Sequence, residues 1–257
     1  MEETSNTLPK LIFIIPYRNR ELQRRFFIRH MKYILEDLNP TEYRLLFVHQ
    51  LDSRDFNRGA MKNIGFLIAK QLYPDDYENM TFVFNDVDTL PLEKNLFHFE
   101  TSHGTIKHFF GFMFALGGIV SITGKDFENI GGFPNFWGWG FEDNALQKRA
   151  TQNKILIDRR EFYPILDKHV IQLQDGKHRI INRTDYNAYV MDTNEGHRSI
   201  TGLVFKLDSE ELIADVIDFH TGRQPNTSTR AVTDLSLTRQ PFEKKSRRSG
   251  SMKMNLL

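Results

Sequence analysis

The chain has 257 residues, with 34 basic and 33 acidic side chains, and 40% of its residues are hydrophobic. These values are ordinary for a globular protein with a substantial core, and a net charge of +1 offers no argument for nucleic-acid binding. The absence of cysteine excludes disulfide bonds, cysteine-based zinc sites and a thiol nucleophile. No run approaches the roughly 18 apolar residues of a membrane helix. The acidic, polar start, residues 1–6, does not resemble a signal peptide.

The first predicted strand is the apolar run at residues 11–15, which ends at Pro16 and has the composition of a buried parallel strand. Tyr17, Arg18 and Arg20 follow it, ahead of a helical pattern. Two arginines beyond the C-terminal end of such a strand lie where open α/β sheets bind ligands, and guanidinium groups suit phosphate oxygens. The alternative interpretation is a pair of solvated arginines in an ordinary loop.

A second strand–helix unit follows. The strand is predicted at residues 43–49, and the helix is predicted to open after it with Asp55 or Asn57 as its cap. Arg58 falls in the first turn of that helix, where it could face a phosphate. Two such units in succession indicate an α/β architecture.

The third predicted strand, residues 81–84, runs directly into Asp86, Val87 and Asp88. Because side chains alternate along extended backbone, Asp86 and Asp88 are predicted to point the same way while Val87 points into the core. Two carboxylates at a strand end make half of a site for Mg²⁺ or Mn²⁺. An Asp-x-Asp sequence also occurs in ordinary turns, but here it follows an apolar strand and two strand–helix units.

Residues 131–149 contain both tryptophans of the chain, Trp137 and Trp139, set among glycines and followed by Glu142 and Asp143. Glycines allow positive φ and close approach to a ligand, and indole rings offer flat apolar faces. The acidic pair precedes a helix-forming run, so its carboxylates are predicted near a helix N-terminus. One interpretation is a mobile sugar-binding loop beside carboxylates that remove a proton. The other is a helix cap and a packed surface turn.

Other segments carry weaker patterns. Residues 89–107 are predicted to form a loop, and residues 203–207 and 212–219 a terminal strand pair. His169 and His178 are candidates to complete a metal shell of mixed oxygen and nitrogen ligands. A lone histidine, however, is more often a surface residue or a hydrogen-bonded core residue.

The C-terminal segment differs in composition. From residue 223 onward the chain carries eight basic residues against two acidic ones and is rich in Ser and Thr. We therefore predict a folded domain over residues 1–222 and a mostly disordered segment over residues 223–257. A basic segment of this kind can touch an anionic membrane or polymer surface, or act only to solubilise the chain.

Taken in order, five motifs resemble those of the β-1,4-galactosyltransferase family. The matching residues are Pro16-Tyr17-Arg18-Asn19-Arg20, Phe56-Asn57-Arg58, Asp86-Val87-Asp88, Gly117-Gly118 and the stretch from Gly131 to Asp143. The last motif is long and specific, and the resemblance covers about residues 10–220. It implies a single α/β domain with the GT-A fold, whose Rossmann-like mixed sheet is flanked by helices. It also implies a Mn²⁺-dependent, inverting transfer of galactose or N-acetylgalactosamine from a UDP-sugar to a glycan hydroxyl.

The resemblance assigns roles residue by residue. Those it assigns to the donor site are Pro16, Tyr17, Arg18, Arg20, Phe56, Arg58, Asp86, Val87, Gly118 and Trp139. Asp88 would bind the Mn²⁺, with His169 preferred to His178 as the second ligand. Asp143 would be the general base, and Glu142 would orient hydroxyl groups of the substrates.

Departures from the family pattern bear on specificity. Phe141 stands where family members carry Gly, and Asn144 where many carry an acidic residue, both on the acceptor side. Leu166 replaces a metal-binding Met and cannot bind metal, although Asp167 could substitute. Ala115 replaces a Tyr, and because a smaller side chain admits an N-acetyl group, UDP-N-acetylgalactosamine is a candidate donor.

The resemblance also sets expectations for partners and location. The expected partners are a UDP-sugar and a glycan or glycoconjugate acceptor, with no nucleic acid. The family's Golgi members have a membrane anchor and disulfides, and since neither is seen in this chain, a cytoplasmic location in a microbe or a virus is expected. Two alternatives remain: a retaining or polymerising transferase of the same fold, and a non-catalytic module that binds a nucleotide sugar or a glycan.

Overall fold

The structure is a computed structural model that describes residues 8–173, 178–181, 194–224 and 231–234. Its helices are α1 (Glu21–Ile34), α2 (Arg58–Leu72), α3 (Gly124–Asn129) and α4 (Glu142–Gln152). Its strands are β1 (Leu11–Tyr17), β2 (Tyr43–Gln50), β3 (Thr81–Asn85), β4 (Thr89–Pro91), β5 (Thr105–Gly111), β6 (Ile119–Thr123), β7 (Leu156–Asp158), β8 (Tyr163–Pro164), β9 (Val170–Gln172), β10 (His178–Ile181), β11 (Thr201–Asp208), β12 (Ile213–His220) and β13 (Ala231–Asp234).

Nine of the described strands form one mixed sheet, in the order β11-β12-β2-β1-β3-β6-β5-β7, with β8 also paired to β5. Strands β12, β2, β1 and β3 are parallel, so their C-terminal ends meet at one edge of the sheet. Strand β6 runs antiparallel to both β3 and β5, and β11 runs antiparallel to β12. Two smaller sheets, β4–β9 and β10–β13, lie beside this one.

Strand β1 is buried on both faces, which explains its unbroken apolar sequence. Ile14 packs in the core cluster that contains α2, whereas Phe13 packs in the cluster that contains Phe27 and Met31 of α1. Successive side chains of a strand point to opposite faces, so a strand covered by helices on both sides needs apolar residues throughout. The edge formed by the C-terminal strand ends is therefore left open as a crevice.

These features confirm the predicted α/β architecture, with a mixed sheet between flanking helices. The strands expected at residues 11–15, 43–49 and 81–84 are present as β1, β2 and β3, and the terminal pair is present as β11 and β12. These runs were recognisable because each combines strand length with a continuous or alternating apolar pattern.

The prediction of a loop over residues 89–107 is wrong at both ends. Strand β4 pairs with β9, and strand β5 begins at Thr105. A strand of three residues is too short to show a period, and its pairing depends on residues far away in the chain. In β5 the buried polar residue His108, only 1% exposed, interrupts the apolar pattern.

The C-terminal segment contains structure that its composition did not indicate. Ala231–Asp234 form strand β13, which pairs antiparallel with β10. These four residues are an exception within a segment predicted to be mostly disordered; residues 225–230 and 235–257 lie outside the described part of the chain, so that prediction stays a prediction. Among the helices described, none has both the length and the apolar character needed to cross a membrane.

Candidate active site

A cavity of about 410 Å³ opens at the C-terminal edge of the parallel strands. The end of β1 contributes Pro16 and the residues after it, and the end of β3 contributes residues 86–88. Ten of the residues that the sequence assigns to the donor site or to the cation line this cavity: Pro16, Tyr17, Arg18, Arg20, Phe56, Arg58, Asp86, Val87, Asp88 and Trp139. The structure thus gathers residues from four separate motifs around one cavity, which has the size usual for a small-molecule site.

A tight turn after β3 presents the two aspartates. The Asp86 backbone N–H donates to the Gly118 carbonyl at 3.0 Å, and the Thr89 N–H donates to the Asp86 carbonyl at 3.1 Å. Val87 is 5% exposed and packs into the core, and it also reaches the cavity wall together with Asp86 and Asp88. The three residues lie in a turn and not on the extended backbone that the alternating pattern predicts. Gly118 has φ of +71°, and a Cβ there would lie 2.5 Å from the Phe110 carbonyl oxygen, so glycine is required to support this turn.

Arg58 is the centre of a carboxylate cluster. Its Nη1 donates to Asp86 at 2.5 Å, its Nε donates to Glu142 at 2.7 Å, and its Nη2 donates to Asp143. Asn57 caps α2 by accepting from the Ala60 N–H at 2.9 Å, which fixes Arg58 at the helix start. The cluster therefore joins the start of α2 to the ends of β3 and to the start of α4.

Lys62, one turn further along α2, was missed in the sequence. Its Nζ lies 3.4 Å from Asp143 Oδ1 and 3.6 Å from Asp86 Oδ1, and the residue is 1% exposed. The ammonium group also lies 4.4 Å from the centre of the Phe133 ring. The available signal was its spacing of four residues from Arg58, which places both cations on one face of the helix.

The two adjacent carboxylates at the start of α4 have opposite electrostatic environments. Burial opposes ionisation of Asp143, but the charges of Arg58 and Lys62 outweigh it and hold its pKa below the ordinary value. Burial raises the pKa of Glu142 despite the nearby Arg58 charge. Oε2 of Glu142 is buried without a hydrogen-bond partner in the described part of the chain. Asp143 is therefore the member of the pair that stays ionised.

The tryptophan loop separates its two indoles. Trp137 is buried, stacks on Phe219 with ring centres 5.6 Å apart, and donates from Nε1 to the Arg223 carbonyl at 3.0 Å. Trp139 instead lines the cavity, and its backbone N–H donates to the Ile180 carbonyl of β10 at 2.7 Å.

The side chains of Glu142 and Asp143 reach Arg58, which argues against the interpretation of this acidic pair as a helix cap.

Two family models match the sequence in succession. One, described as the N-terminal region of glycosyl transferase group 7, matches residues 3–99. The other, described as the N-terminal domain of galactosyltransferase, matches residues 106–170. Together they cover more than half of the chain and all five motifs. The chain belongs to glycosyl transferase group 7.

Curated relatives of this group 7 chain are galactosyltransferases of animals. Mouse β-1,4-galactosyltransferase 4 is 32% identical over 174 residues, which are 61% of this chain and 47% of that protein. Bovine β-1,4-galactosyltransferase 1 is 29% identical over 80% of this chain and 53% of its own length. Xylosylprotein 4-beta-galactosyltransferase of Caenorhabditis elegans is 32% identical over 58% of this chain and 53% of its own length. The chain spans about half the length of these relatives.

Solved structures establish the fold of the group 7 domain. The catalytic domain of Drosophila β1,4-galactosyltransferase 7, in complex with xylobiose, superposes with a TM-score of 0.64 at 20% identity, covering 82% of this chain and 94% of that one. A mutant of the same enzyme, solved with manganese, UDP-Gal and xylobiose, superposes with a TM-score of 0.58. The fold is therefore GT-A, as the motifs implied.

The structure does not bring His169 to the cavity of this group 7 domain. In the β4–β9 pair, the Leu92 N–H donates to the His169 carbonyl, whereas the Asp88 carbonyl accepts from Leu173. The His169 ring pairs with Asp167 at 2.8 Å, and neither residue is among those that line the cavity.

The other histidine candidate begins strand β10. The next two residues of that strand, Arg179 and Ile180, line the cavity, so the backbone after His178 lies at the site. Leu166, which departs from the family pattern, is 74% exposed. Within the residues described here, no group of three His, Cys, Asp or Glu side chains is arranged to hold a metal ion.

Proposed function

We propose that the chain is a metal-dependent, inverting glycosyltransferase that transfers a hexose, galactose or N-acetylgalactosamine, from a UDP-sugar to a glycan hydroxyl. The observation that carries this proposal is the carboxylate of Asp143, which is paired with Arg58 beside a cavity that bears Asp88 and Trp139 on its wall. A base next to a nucleotide-sized cavity has the arrangement that a direct displacement requires.

The cavity suits a nucleoside diphosphate. Arg18 and Arg20 follow β1 at the rim, and Tyr17 and Phe56 supply aromatic faces for a base or ribose. The Arg18 guanidinium donates to the Arg54 carbonyl, which orients it along the cavity wall. The Drosophila neighbour solved with UDP-Gal supports this assignment by similarity of fold and family.

The carboxylates on the cavity wall fit a divalent cation such as Mn²⁺. Burial and the neighbouring Asp86 raise the pKa of Asp88, and Oδ1 of Asp86 is buried without a hydrogen-bond partner in the described structure. A bound divalent cation would favour the ionised form of Asp88 and would offer a partner to the buried oxygen of Asp86. We propose Asp88 as a ligand, and His169 and His178 stay the two candidates for the histidine ligand. The cation would neutralise the diphosphate leaving group.

The residues of the chain would carry out proton transfer, displacement and exclusion of water as follows. Asp143 takes the proton of the acceptor hydroxyl onto a carboxylate oxygen while that hydroxyl's oxygen bonds to the anomeric carbon. The bond from the anomeric carbon to the diphosphate oxygen breaks on the opposite face, so the configuration inverts. Trp139 shields the cavity from water, and Arg58 holds Glu142 and Asp143 close to the turn that carries Asp86.

An exposed aromatic segment beside Asp143 suits a glycan acceptor. Phe112 and Phe114 stack with ring centres 5.2 Å apart, and Phe114 is 40% exposed. The Leu116 N–H donates to the Asp143 carbonyl at 3.0 Å, and Asn144 donates to the Phe114 carbonyl at 3.2 Å. Aromatic faces bind the apolar face of a pyranose ring, so the acceptor is proposed to lie here.

The donor sugar is proposed from Ala115, whose small side chain leaves room for an N-acetyl group. Ala115 is 5% exposed and is not among the residues that line the cavity, so this proposal rests on the smaller side chain at the position where the family carries Tyr. Both UDP-galactose and UDP-N-acetylgalactosamine are therefore proposed donors. Exclusive use of UDP-galactose would contradict the roomier pocket.

The deciding experiment measures UDP release by the purified chain with Mn²⁺, a panel of UDP-sugars and a panel of simple glycan acceptors. We expect release from one or two UDP-hexoses, loss of release on chelation, and a product of inverted anomeric configuration by NMR. A product of retained configuration would contradict the direct displacement. Binding of UDP and Mn²⁺ without release from any donor would indicate a non-catalytic binding module.

A further inference from the structure

The most unusual feature of the carboxylate cluster is the buried cation Lys62. A buried ammonium group is unfavourable unless it is paired, and a Leu or Met would fill the same volume without that penalty. Lys62 is 1% exposed and is paired with Asp143 and Asp86, two residues that belong to the proposed reaction site. Its position is therefore explained by the site and not by packing alone.

Arg58 and Lys62 differ in what they can reach. Arg58 lines the cavity and divides its donors among three carboxylates, so an entering diphosphate can compete for it. Lys62 does not line the cavity, and its ammonium faces Asp143, Asp86 and the Phe133 ring. Lys62 is thus the cation that stays with Asp143 when the donor site fills.

We propose that Lys62 is a positioning residue, which holds Asp143 Oδ1 in the orientation and ionised state needed to accept a proton. This inference rests on the proposed function, because it takes Asp143 to be the base. The charged or titratable groups around Asp143 are Arg58 and Lys62 from α2, Glu142 from α4, Asp86 after β3, and His108 from β5. Of the two cations in this set, Lys62 is the one that does not itself line the cavity.

The chain offers a matched control on the same helix. Lys70 lies two turns beyond Lys62, pairs with Glu128 at 2.6 Å, and packs 4.5 Å from the centre of the Tyr77 ring. It has the same combination of carboxylate and aromatic partners, but none of them lies in the cavity or the carboxylate cluster. A general effect of losing a lysine from α2 would therefore appear in both variants.

The test compares Lys62→Met, Lys62→Arg and Lys70→Met. We expect Lys62→Met to lower kcat by about tenfold or more, with the KM for the UDP-sugar and the affinity for UDP changed by less than about threefold. Lys62→Arg should recover part of the loss, and Lys70→Met should leave kcat unchanged. Equal losses in Lys62→Met and Lys70→Met, or a change in KM alone, would overturn the inference.

A second measurement does not depend on turnover. The ¹³C-carboxyl titration of Asp143 by NMR should have a higher midpoint in Lys62→Met than in the wild-type chain, by about one pH unit, and an unchanged midpoint in Lys70→Met. An upward shift of the midpoint in Lys62→Met, together with a wild-type chain that releases no UDP, would support the coupling of Lys62 to Asp143 while contradicting the proposed function. An unshifted midpoint in an active enzyme would overturn the role of Lys62. If Lys62→Met does not fold, Lys62→Gln serves in both measurements.

Discussion

Asp143 and Glu142 are neighbours in sequence, yet the tertiary structure gives them different electrostatic environments. Asp143 has two cations within reach and a lowered pKa, whereas Glu142 shares Arg58 and has a raised pKa because it is more deeply buried. Since a proton acceptor must be ionised before the reaction, the environment selects Asp143.

Substitution of each carboxylate should therefore have unequal effects. Asp143→Asn should lower kcat by about a hundredfold or more, because it removes the proton acceptor, while UDP binding in the presence of Mn²⁺ changes little. Glu142→Gln should lower kcat by less than about tenfold, because the amide resembles the protonated acid. Steady-state UDP release and UDP titration calorimetry measure the two quantities. Equal losses in the two variants would contradict the assignment.

At the scale of elements, the connection from β5 to β6 sets the position of α4. His108 Nε2 donates to the carbonyls of Phe110 and Gly117 at 3.0 and 3.1 Å, and its Nδ1 accepts from Arg159 Nε at 3.0 Å. These bonds require the neutral ring, with the proton on Nε2. They hold Gly117 against the carboxylate of Asp143, where a Cβ would overlap it.

Gly117→Ala should displace the Asp143 carboxylate, because Arg58 and Lys62 leave that side chain little freedom to move. We expect kcat to fall by about tenfold or more while UDP affinity is retained. Gly104→Ala is the control, since a Cβ there meets nothing within 4 Å but the residue has φ of +80°. It should lower the free energy of unfolding without lowering kcat, and a kcat loss in both variants would contradict the local explanation.

The same connection predicts a pH dependence of stability. Burial and the Arg159 charge lower the pKa of His108 to about 4, so the native ring stays neutral while the unfolded ring takes up a proton near pH 6.5. The unfolded state thus binds more protons below pH 6.5, and the free energy of unfolding should fall by roughly 2 to 3 kcal/mol between pH 6.5 and 4.5 from this group. Urea unfolding measures this quantity, and the free energy of unfolding should fall less over this pH range in His108→Gln than in the wild-type chain. An equal fall in both chains would contradict the role of His108.

On the scale of the whole molecule, strand β13 of the C-terminal segment is connected to the proposed donor site through β10. Strand β13 pairs with β10, and β10 contributes Arg179 and Ile180 to the cavity and holds the backbone of Trp139. Residues far apart in the chain are therefore linked through this small sheet to the proposed donor site.

Shortening the chain should expose this link. A chain that ends at residue 224 loses β13, and we expect its Kd for UDP with Mn²⁺ to rise by about tenfold because β10 loses its pairing partner. A chain that ends at residue 234 keeps β13 and should bind UDP like the 257-residue chain. Isothermal titration compares the UDP affinities of the three chains. Equal affinities in the two shortened chains would contradict a contribution of β13 to UDP binding.

Local sequence patterns were sufficient to predict strands β1, β2 and β3, the polar residues that follow β1 and β3, and the Gly-Trp-Gly-Trp loop before Glu142 and Asp143. An apolar run of strand length followed at once by charged residues is visible within about ten residues. The GT-A fold and the roles of individual residues were implied by the resemblance of the five motifs, and four of those motifs contribute residues to the cavity.

The tertiary structure alone decided which charges meet. Lys62 reaches Asp143 because the fold brings α2 next to the start of α4. The pairing of β9 with β4 and the position of β10 at the cavity likewise depend on the folded chain. The separate positions of Trp137 and Trp139 and the pairing of β13 likewise depend on partners distant in sequence. Pairing register and helix packing join residues that no local period connects, so these contacts required the folded chain.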